Sequence, residues 1–325
     1  MKRIFWVLLL GMAGCATTRD EHIIPFNAQQ RQALFARARP PQAFGLTVYT
    51  TERGPLFAGA HRVHSGQAAR LPFASKADPG TPMIRFTARS VKEIPALIDT
   101  TARENWIIPP LAAGADLVMM AGPNPYETKA VHVYDEIGGF AALLHKAMFD
   151  KLHMENVVFY VRGASGPLGP PARWSQDPVP QAVFGVPFLR AFSYVTFDFA
   201  GQGLVLSATT PYPGPDESRL IAQLPLLDIR GVLGVEGTLN GEPTTFLIDT
   251  GGDFDLVKND PKDATVRRVA VGDLVFPRDI EVKTARELGL GDIDYPRIGR
   301  GLLTRYRVTL DFRNKQVIFE RPATR

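Results

Sequence analysis

Two aspartate residues stand at matching places in the chain, each at the end of a short apolar run. Asp249 follows the run Phe246–Ile248 and begins the sequence Asp-Thr-Gly-Gly. Asp99 lies 150 residues earlier, follows the run Ala96–Ile98 and begins the sequence Asp-Thr-Thr. An apolar run that ends in polar residues or glycines is typical of a buried strand entering a tight turn. If the two turns meet, their carboxyl groups can share one proton and act as acid and base on a bound water.

Segments of similar sequence accompany both aspartates in the same order, which indicates an internal repeat. A Leu-Pro segment precedes each aspartate, and a segment that begins with glycine and ends with leucine, then a Val-Thr-x-Asp-Phe segment, follow it. The members are Leu71–Phe73, Gly185–Leu189 and Val195–Phe199 in the first repeat, and Leu224–Leu226, Gly299–Leu303 and Val308–Phe312 in the second. One site built from two lobes is therefore expected.

These residues resemble the retropepsin-like and pepsin-like aspartic proteases, in which each lobe carries Asp-Thr-Gly. The resemblance implies a mostly β, bilobal aspartic-protease-like fold, with two retropepsin-like β lobes in one chain. It implies Asp99 and Asp249 as catalytic residues that activate a water for peptide hydrolysis, with no cofactor and no metal. It also implies a peptide or protein substrate in an extended conformation, and a monomer with an internal pseudo-two-fold axis.

The neighbours of the two aspartates receive supporting roles from the same resemblance. Thr100 and Thr250 are expected to interlock the two turns through hydrogen bonds from hydroxyl to backbone. Gly251 lets backbone amides approach the carboxylate without an intervening side chain. Thr101 stands where the second repeat has this glycine, and its β-branched side chain is expected to restrict the turn and separate the carboxyl groups.

A flap over the site is a further expectation from the resemblance. The strand-like segment Val131–Phe140 ends in a glycine pair, which makes Tyr134, Gly138 and Gly139 candidate flap residues. A plain turn leading into a following element explains the same residues.

An insertion distinguishes the first repeat from the second. The distance from Asp99 to Asp198 exceeds that from Asp249 to Asp311 by 37 residues. Apolar residues near every third or fourth place predict a small helical insertion from Phe140 to Leu152. The proline-rich segment from Gly163 to Pro180 is predicted to be a loop.

The start of the chain has the features of an export signal that ends in a lipid anchor. Lys2 and Arg3 precede the apolar run Ile4–Leu10, and Gly11–Cys15 resembles the lipobox of a bacterial lipoprotein. The run is too short to span a bilayer, and Cys15 is the single cysteine of the chain. An ordinary signal peptide or a membrane anchor are the alternatives. The sequence predicts lipidation at Cys15 in the cell envelope, on the outer membrane facing the periplasm, as Ala16 follows the cysteine.

The domain organisation follows from these segments. The predicted parts are a signal peptide at 1–14, a tether at 15–43, a first lobe at 44–210, a linker at 211–223 and a second lobe at 224–325. The chain has a net charge of +4, but no nucleic-acid-binding motif accompanies its basic residues. The membrane, through the lipid anchor, is the expected partner besides the substrate, and nucleic acid is not expected.

Two other motifs resemble known sites but lack a feature that those sites require. His61 and His64 have the spacing of a metal pair, but the sequence shows no third ligand, so surface histidines are expected. The segment Asp253–Val257 resembles the nucleophile motif of haloacid-dehalogenase-type phosphatases, but glycines precede it where that motif needs a strand. The sequence therefore predicts an aspartic endopeptidase, and the alternative is a non-catalytic peptide-binding protein with a degenerate cleft.

Overall fold

A computed structural model describes most of the chain after its N-terminal region. It covers residues 36–323 except 52–53, 65–67, 76–77, 79, 90, 116, 121–139, 162–179, 260–265, 278 and 291–292, together with residues 29 and 32. The predicted signal peptide and Cys15 lie outside the described residues. Within the described part, no helix has the length and apolar character needed to cross a membrane.

The regular secondary structure of the described chain is mostly strand, as predicted. The strands of the first half are β1 (Thr47–Thr51), β2 (Gly54–Ala58), β3 (Arg62–His64), β4 (Ala68–Pro72), β5 (Met83–Ala88), β6 (Val91–Ile98), β7 (Trp106–Ile107), β8 (Val118–Met119), β9 (Phe140–Phe149), β10 (Leu152–Val161), β11 (Ala182–Phe184), β12 (Tyr194–Asp198) and β13 (Gly203–Ser207). Those of the second half are β14 (Leu220–Pro225), β15 (Leu227–Ile229), β16 (Val232–Leu239), β17 (Glu242–Ile248), β18 (Leu256–Lys258), β19 (Val269–Val271), β20 (Leu274–Val275), β21 (Val282–Thr284), β22 (Arg297–Ile298), β23 (Arg307–Asp311) and β24 (Gln316–Glu320). The helices are short: a 3-10 helix (Pro41–Phe44), α1 (Pro109–Gly114), α2 (Val186–Leu189) and α3 (Arg300–Leu303).

The first lobe is a barrel-like sheet with the strand order β3-β10-β7-β11-β6-β5-β9-β8, closed by pairing of β9 with β10. Its interior is filled by phenylalanine side chains. The ring centroid of Phe184 lies 4.2 Å from that of Phe188 and 5.1 Å from that of Phe86. The ring centroids of Phe149 and Phe159 lie 5.3 and 5.4 Å from that of Phe184. Burial of these rings holds β11, and with it the neighbouring end of β6, in a fixed position.

The predicted helix from Phe140 to Leu152 is wrong, because the segment forms β9 and the start of β10. The two strands pair antiparallel around a two-residue turn at Asp150 and Lys151, and Asp150 has a φ of 54°. Ala142 and Leu144 enter one hydrophobic cluster and Leu143 enters another. A strand buried on both faces carries a nearly continuous apolar run, which periodicity cannot distinguish from a buried helix.

The second lobe is a sheet with the order β20-β19-β16-β17-β22-β18-β21, and β15 pairs with β16. The β16–β17 hairpin turns at Asn240 and Gly241, whose φ angles are 54° and 93°. Positive φ at both central residues matches the twist of the flanking strands. The hairpin thereby sets the register of β17, the strand that ends next to Asp249.

A six-stranded sheet joins the lobes, with the order β14-β24-β23-β12-β13-β4. Three of its strands come from each half of the chain, in mirrored order around the central β12–β23 pair. Thr196 lies opposite Thr309 at the centre of this pair, with their buried hydroxyl oxygens 2.9 Å apart. The repeated Leu-Pro and Val-Thr segments thus occupy equivalent strands in the two halves, related by an approximate two-fold axis.

The connection between the halves is tied to the shared sheet. The buried carboxylate of Glu320 accepts hydrogen bonds from the Tyr212 hydroxyl at 3.2 Å and from the Asp216 amide at 3.1 Å. The guanidinium of Arg307 donates to the same carboxylate at 2.7 Å. β14 begins at Leu220, inside the segment 211–223 that was predicted to be the linker.

Charged side chains of the described residues make contacts between the lobes. Arg300 at the start of α3 donates to Asp78 and to Thr81, each at 2.6 Å. Arg190 after α2 lies 2.8 Å from Asp228. The Arg300 contact is largely buried, whereas the Arg190 contact is exposed to solvent and contributes little to stability. Both contacts connect the lobes close to the aspartate turns, since α2 and α3 follow the strands that flank those turns.

Candidate active site

Each aspartate follows a strand that is held between neighbours in the interior of its lobe. β6 runs parallel to β11, and the amide of Asp99 donates to the Phe184 carbonyl at 3.0 Å. β17 runs parallel to β22, and the amide of Asp249 donates to the Ile298 carbonyl at 2.9 Å. The two lobes therefore present their aspartates through the same local construction.

The threonines that follow the aspartates lock the two turns together. The Thr250 amide donates to the Thr100 hydroxyl at 3.0 Å, and the Thr100 amide donates to the Thr250 hydroxyl at 3.2 Å. Each hydroxyl also donates across the lobe boundary to the backbone, Thr250 to the Ile98 carbonyl at 2.9 Å and Thr100 to the Ile248 carbonyl. Both threonines are fully buried, so losing either hydroxyl would leave buried polar groups without partners.

The two carboxyl groups are buried beside this lock. Asp99 is 7% exposed and Asp249 is 4% exposed. Gly251 brings the second-lobe turn against Asp99, since a Cβ atom at this position would stand 2.8 Å from the Cγ of Asp99. A glycine is required here because any other side chain would occupy the space of the opposing carboxyl group. The structure thus brings Asp99, Thr100, Asp249, Thr250 and Gly251 together in one site.

The electrostatic setting makes Asp99 hard to ionise. Burial, and then the charge of Asp249, raise the pKa of Asp99 to about 6. Hydrogen bonds from Thr101 and the positive charge of Arg297 act in the opposite direction. A carboxyl group whose pKa is raised by a neighbouring carboxylate is the arrangement expected when two aspartates share one proton.

Thr101 holds the Asp99 carboxyl group by two hydrogen bonds, a contact that the sequence did not predict. Its amide and its hydroxyl both donate to Oδ1 of Asp99, at 2.7 and 2.8 Å. The side chain is half-buried and hydrogen-bonded, so threonine adds a donor that glycine lacks. The sequence shows that a hydroxyl donor is present at position 101, but it does not show which way this hydroxyl points.

Removing the Thr101 hydroxyl is expected to raise the pKa of Asp99. Thr101→Val keeps the branched shape but deletes a hydrogen bond that stabilises the ionised carboxylate. Such bonds contribute about 1.5–3 kcal/mol, so the titration should move upward by about one to two pH units. Carboxyl ¹³C NMR measures it, and Thr101→Ser, which keeps the hydroxyl, should titrate like the wild type. An unchanged titration in Thr101→Val would contradict this role for the hydroxyl.

One charged residue of the site was missed by the sequence analysis. Nη1 of Arg297 in β22 lies 3.3 Å from Oδ2 of Asp249, and the arginine side chain is 21% exposed. Arg297 precedes Ile298 and Gly299 as Val183 precedes Phe184 and Gly185 in the first repeat. A comparison of the two repeats two residues further upstream of Gly185 and Gly299 would have shown a charge in place of an apolar residue.

The face of the first lobe beside Asp99 is covered by other parts of the chain. Leu97 lies two residues before Asp99 and so on the same face of β6, in a row with Val183 and Trp106 on the neighbouring strands. Leu46, from the segment before β1, is buried against this row. The row beside Asp99 is therefore part of a buried cluster of the first lobe.

The sequence also indicated flap candidates and a histidine pair. The flap candidates Tyr134, Gly138 and Gly139 fall outside the described residues, in the segment that connects β8 to β9. His64 pairs with Glu155 at 2.8 Å, on β3 and β10. Among the residues that the structure describes, no three His, Cys, Asp or Glu side chains are grouped so as to hold a metal ion.

Comparison with known proteins corrects the family assignment. No protein-family model matches the chain, and no curated protein matches it. Among solved structures, the fold is similar to the crystal structure of basic 7S globulin from soybean, with a TM-score of 0.45 and 11% identity over 79% of this chain and 95% of that chain. A likeness at this level establishes no family. The identification as a retropepsin-like or pepsin-like aspartic protease is therefore wrong, and the function rests on the site alone.

Proposed function

We propose that this protein is a membrane-anchored aspartic endopeptidase that hydrolyses peptide bonds with a water held between Asp99 and Asp249. The observation that carries the proposal is the pair of buried Asp-Thr turns, one from each lobe, locked by reciprocal threonine hydrogen bonds. In this proposal the bilobal fold is aspartic-protease-like, because each lobe supplies one of the two catalytic aspartates. A single chain then suffices, and the substrate is an extended peptide.

The chemistry requires one ionised and one protonated carboxyl group. The ionised group accepts a proton from the water as the water oxygen bonds to the carbonyl carbon of the peptide. The protonated group donates a hydrogen bond to the carbonyl oxygen, which takes up the electron pair of the broken π bond. The tetrahedral intermediate then expels the amine, which leaves with a proton delivered by a carboxyl group, and the pair returns to its starting state.

The direct test is cleavage of a peptide library by the full-length protein in detergent micelles between pH 4 and 7. In H₂¹⁸O, each new carboxyl group is expected to gain one ¹⁸O atom, and added amines should not be incorporated, because no acyl-enzyme forms. A pepstatin-type mimic of the tetrahedral intermediate should inhibit. Incorporation of an added amine into the products would contradict direct attack by water.

The second candidate is a non-catalytic peptide-binding protein that uses the same cleft. Thr101 favours it, because this residue stands at the place of Gly251 in the second repeat and donates two hydrogen bonds to one oxygen of Asp99. Such a protein would bind extended peptides from the library and the pepstatin-type mimic without turnover. Binding with no ¹⁸O-labelled product after long incubation would favour this candidate over the endopeptidase.

The membrane anchor is part of the same proposal. The basic head, the short apolar run and the single cysteine of the sequence support lipidation at Cys15 on the outer membrane, with the lobes in the periplasm. Cys15→Ser is expected to abolish labelling with a palmitate analogue and to release the protein from sedimented membranes. Ala16→Ser is the matched control and should remain lipidated. An unlabelled wild type that sediments as strongly as Cys15→Ser would contradict the anchor.

A further inference from the structure

Arg297 breaks the symmetry between the two halves of the site. In β22 it pairs with Leu247 of β17, two residues before Asp249. The equivalent place in the first lobe holds Val183, which pairs with Leu97 and is fully buried. The guanidinium of Arg297 therefore lies beside Asp249, whereas the apolar side chain of Val183 occupies the equivalent place beside Asp99.

The charges that face Asp249 come from two elements packed against its turn. They are the carboxyl group of Asp99 and the guanidinium of Arg297, whose Nη1 lies 3.3 Å from Oδ2 of Asp249. Asp253, later in the same loop, is 63% exposed and lies 3.5 Å from Arg300. Asp99 receives two hydrogen bonds from Thr101, but Arg297 lies at contact distance from Asp249. A partly buried opposite charge at this distance favours the ionised form of its partner.

We infer that Arg297 is a positioning residue that assigns the roles within the pair, keeping Asp249 ionised as the base and leaving Asp99 to carry the proton as the acid. The assignment rests on the proposed function for its catalytic meaning, while the order of ionisation is a property of the site itself. Two aspartates in a symmetric setting would share the proton without preference. The guanidinium removes that symmetry.

The test separates the order of ionisation from catalysis. Carboxyl ¹³C NMR of aspartate-labelled full-length protein, with Asp99→Asn and Asp249→Asn for assignment, gives the titration of each group. Asp249 is expected to lose its proton at lower pH than Asp99 in the wild type. In Arg297→Met, which keeps the length and removes the charge, Asp249 should lose its proton at a higher pH, so that the gap between the two titrations narrows, and Arg297→Lys should restore most of the gap.

The pH dependence of cleavage supplies the second readout. In Arg297→Met the acidic limb of the pH profile of kcat should move to higher pH by the same amount as the Asp249 titration. KM should change less than kcat. If cleavage is absent but the titrations follow the expected order, the endopeptidase proposal fails and the ordering by Arg297 stands. If Asp99 ionises first in the wild type, or if Arg297→Met leaves the gap between the two titrations unchanged, the inference is overturned whether or not peptides are cleaved. The wild-type titration decides this even if Arg297→Met does not fold.

Discussion

Asp99→Asn and Asp249→Asn are each expected to reduce peptide cleavage by at least about a thousandfold. An asparagine can neither accept a proton from the attacking water nor donate one as a carboxylic acid, and general acid–base catalysis contributes about 10²–10⁴-fold for each group. Both groups act in the same step, so the double variant should lose little more than either single variant. Cleavage of one fixed peptide, followed by mass spectrometry, provides the measurement.

The matched control is Asp253→Asn, which changes an exposed aspartate in the same loop as Asp249. It should cleave within a few-fold of the wild type. If Asp99→Asn retained cleavage while Asp249→Asn abolished it, the pairing of Asp99 with Asp249 would be wrong. A dimer that pairs two copies of the second lobe would then be the better explanation.

Asp99→Asn should also stabilise the folded protein, by an amount that depends on pH. Burial and the Asp249 charge raise the pKa of Asp99 from its ordinary 3.8 to about 6. Between these pH values the folded protein holds a proton that the unfolded chain releases, so the stability of the wild type falls as the pH rises through the interval. Asp99→Asn carries no such charge, and its advantage should grow from nearly zero at pH 4 to roughly 1–3 kcal/mol above pH 6. Urea unfolding at pH 4 and pH 7 measures the difference.

The strand content, the two lobes and the meeting of the two Asp-Thr turns could be predicted from sequence for a physical reason. An apolar strand that ends in Asp-Thr is a local signal, and its repetition within matching segments requires equivalent places in two similar lobes. The two faces of β6 pack into different clusters, Ala96 and Ile98 into one and Leu97 into the other. A shift of one residue would exchange these faces, which fixes the register.

Other features could not be predicted because they depend on contacts between distant parts of the chain. The segment from Phe140 to Leu152 is buried on both faces only because separate clusters cover it from two sides. The direction of the Thr101 hydroxyl depends on the local turn. The role of Arg297 depends on the parallel pairing of β22 with β17, which brings residue 297 beside a strand about fifty positions earlier. The family assignment failed for a different reason: a short motif in a matching repeat indicates a type of site and does not establish descent.

Gly251→Ala is expected to impair both stability and cleavage, because the added methyl group would stand where the two lobes meet. Its Cβ would lie 2.8 Å from Cγ and 3.0 Å from Oδ2 of Asp99. Asp99 cannot rotate away cheaply, since Thr101 holds its Oδ1 with two hydrogen bonds. The turns must therefore move apart, which strains the reciprocal bonds between Thr100 and Thr250.

The expected loss of stability is about 1–3 kcal/mol, the usual cost of inserting a methyl group into a packed site. Cleavage should fall by about a hundredfold, because a displacement of about 1 Å between reacting groups has an effect of this size. Urea unfolding and cleavage of the same peptide provide the two measurements. Gly114→Ala is the matched control at the end of α1, where the nearest atom, Cγ2 of Val91, would lie 3.7 Å from the new Cβ.

A double variant identifies the cause of the damage. Asp99→Ala removes the carboxyl group that the new methyl group would meet, so Gly251→Ala should cost clearly less stability in the Asp99→Ala background than in the wild type. The difference between the two costs measures the contact between the lobes. Equal costs in both backgrounds would show that the strain lies in the Gly251 backbone. A fully active and stable Gly251→Ala variant would show that the second-lobe turn does not approach Asp99 this closely, and the proposed pairing of the carboxyl groups would lose its geometric support.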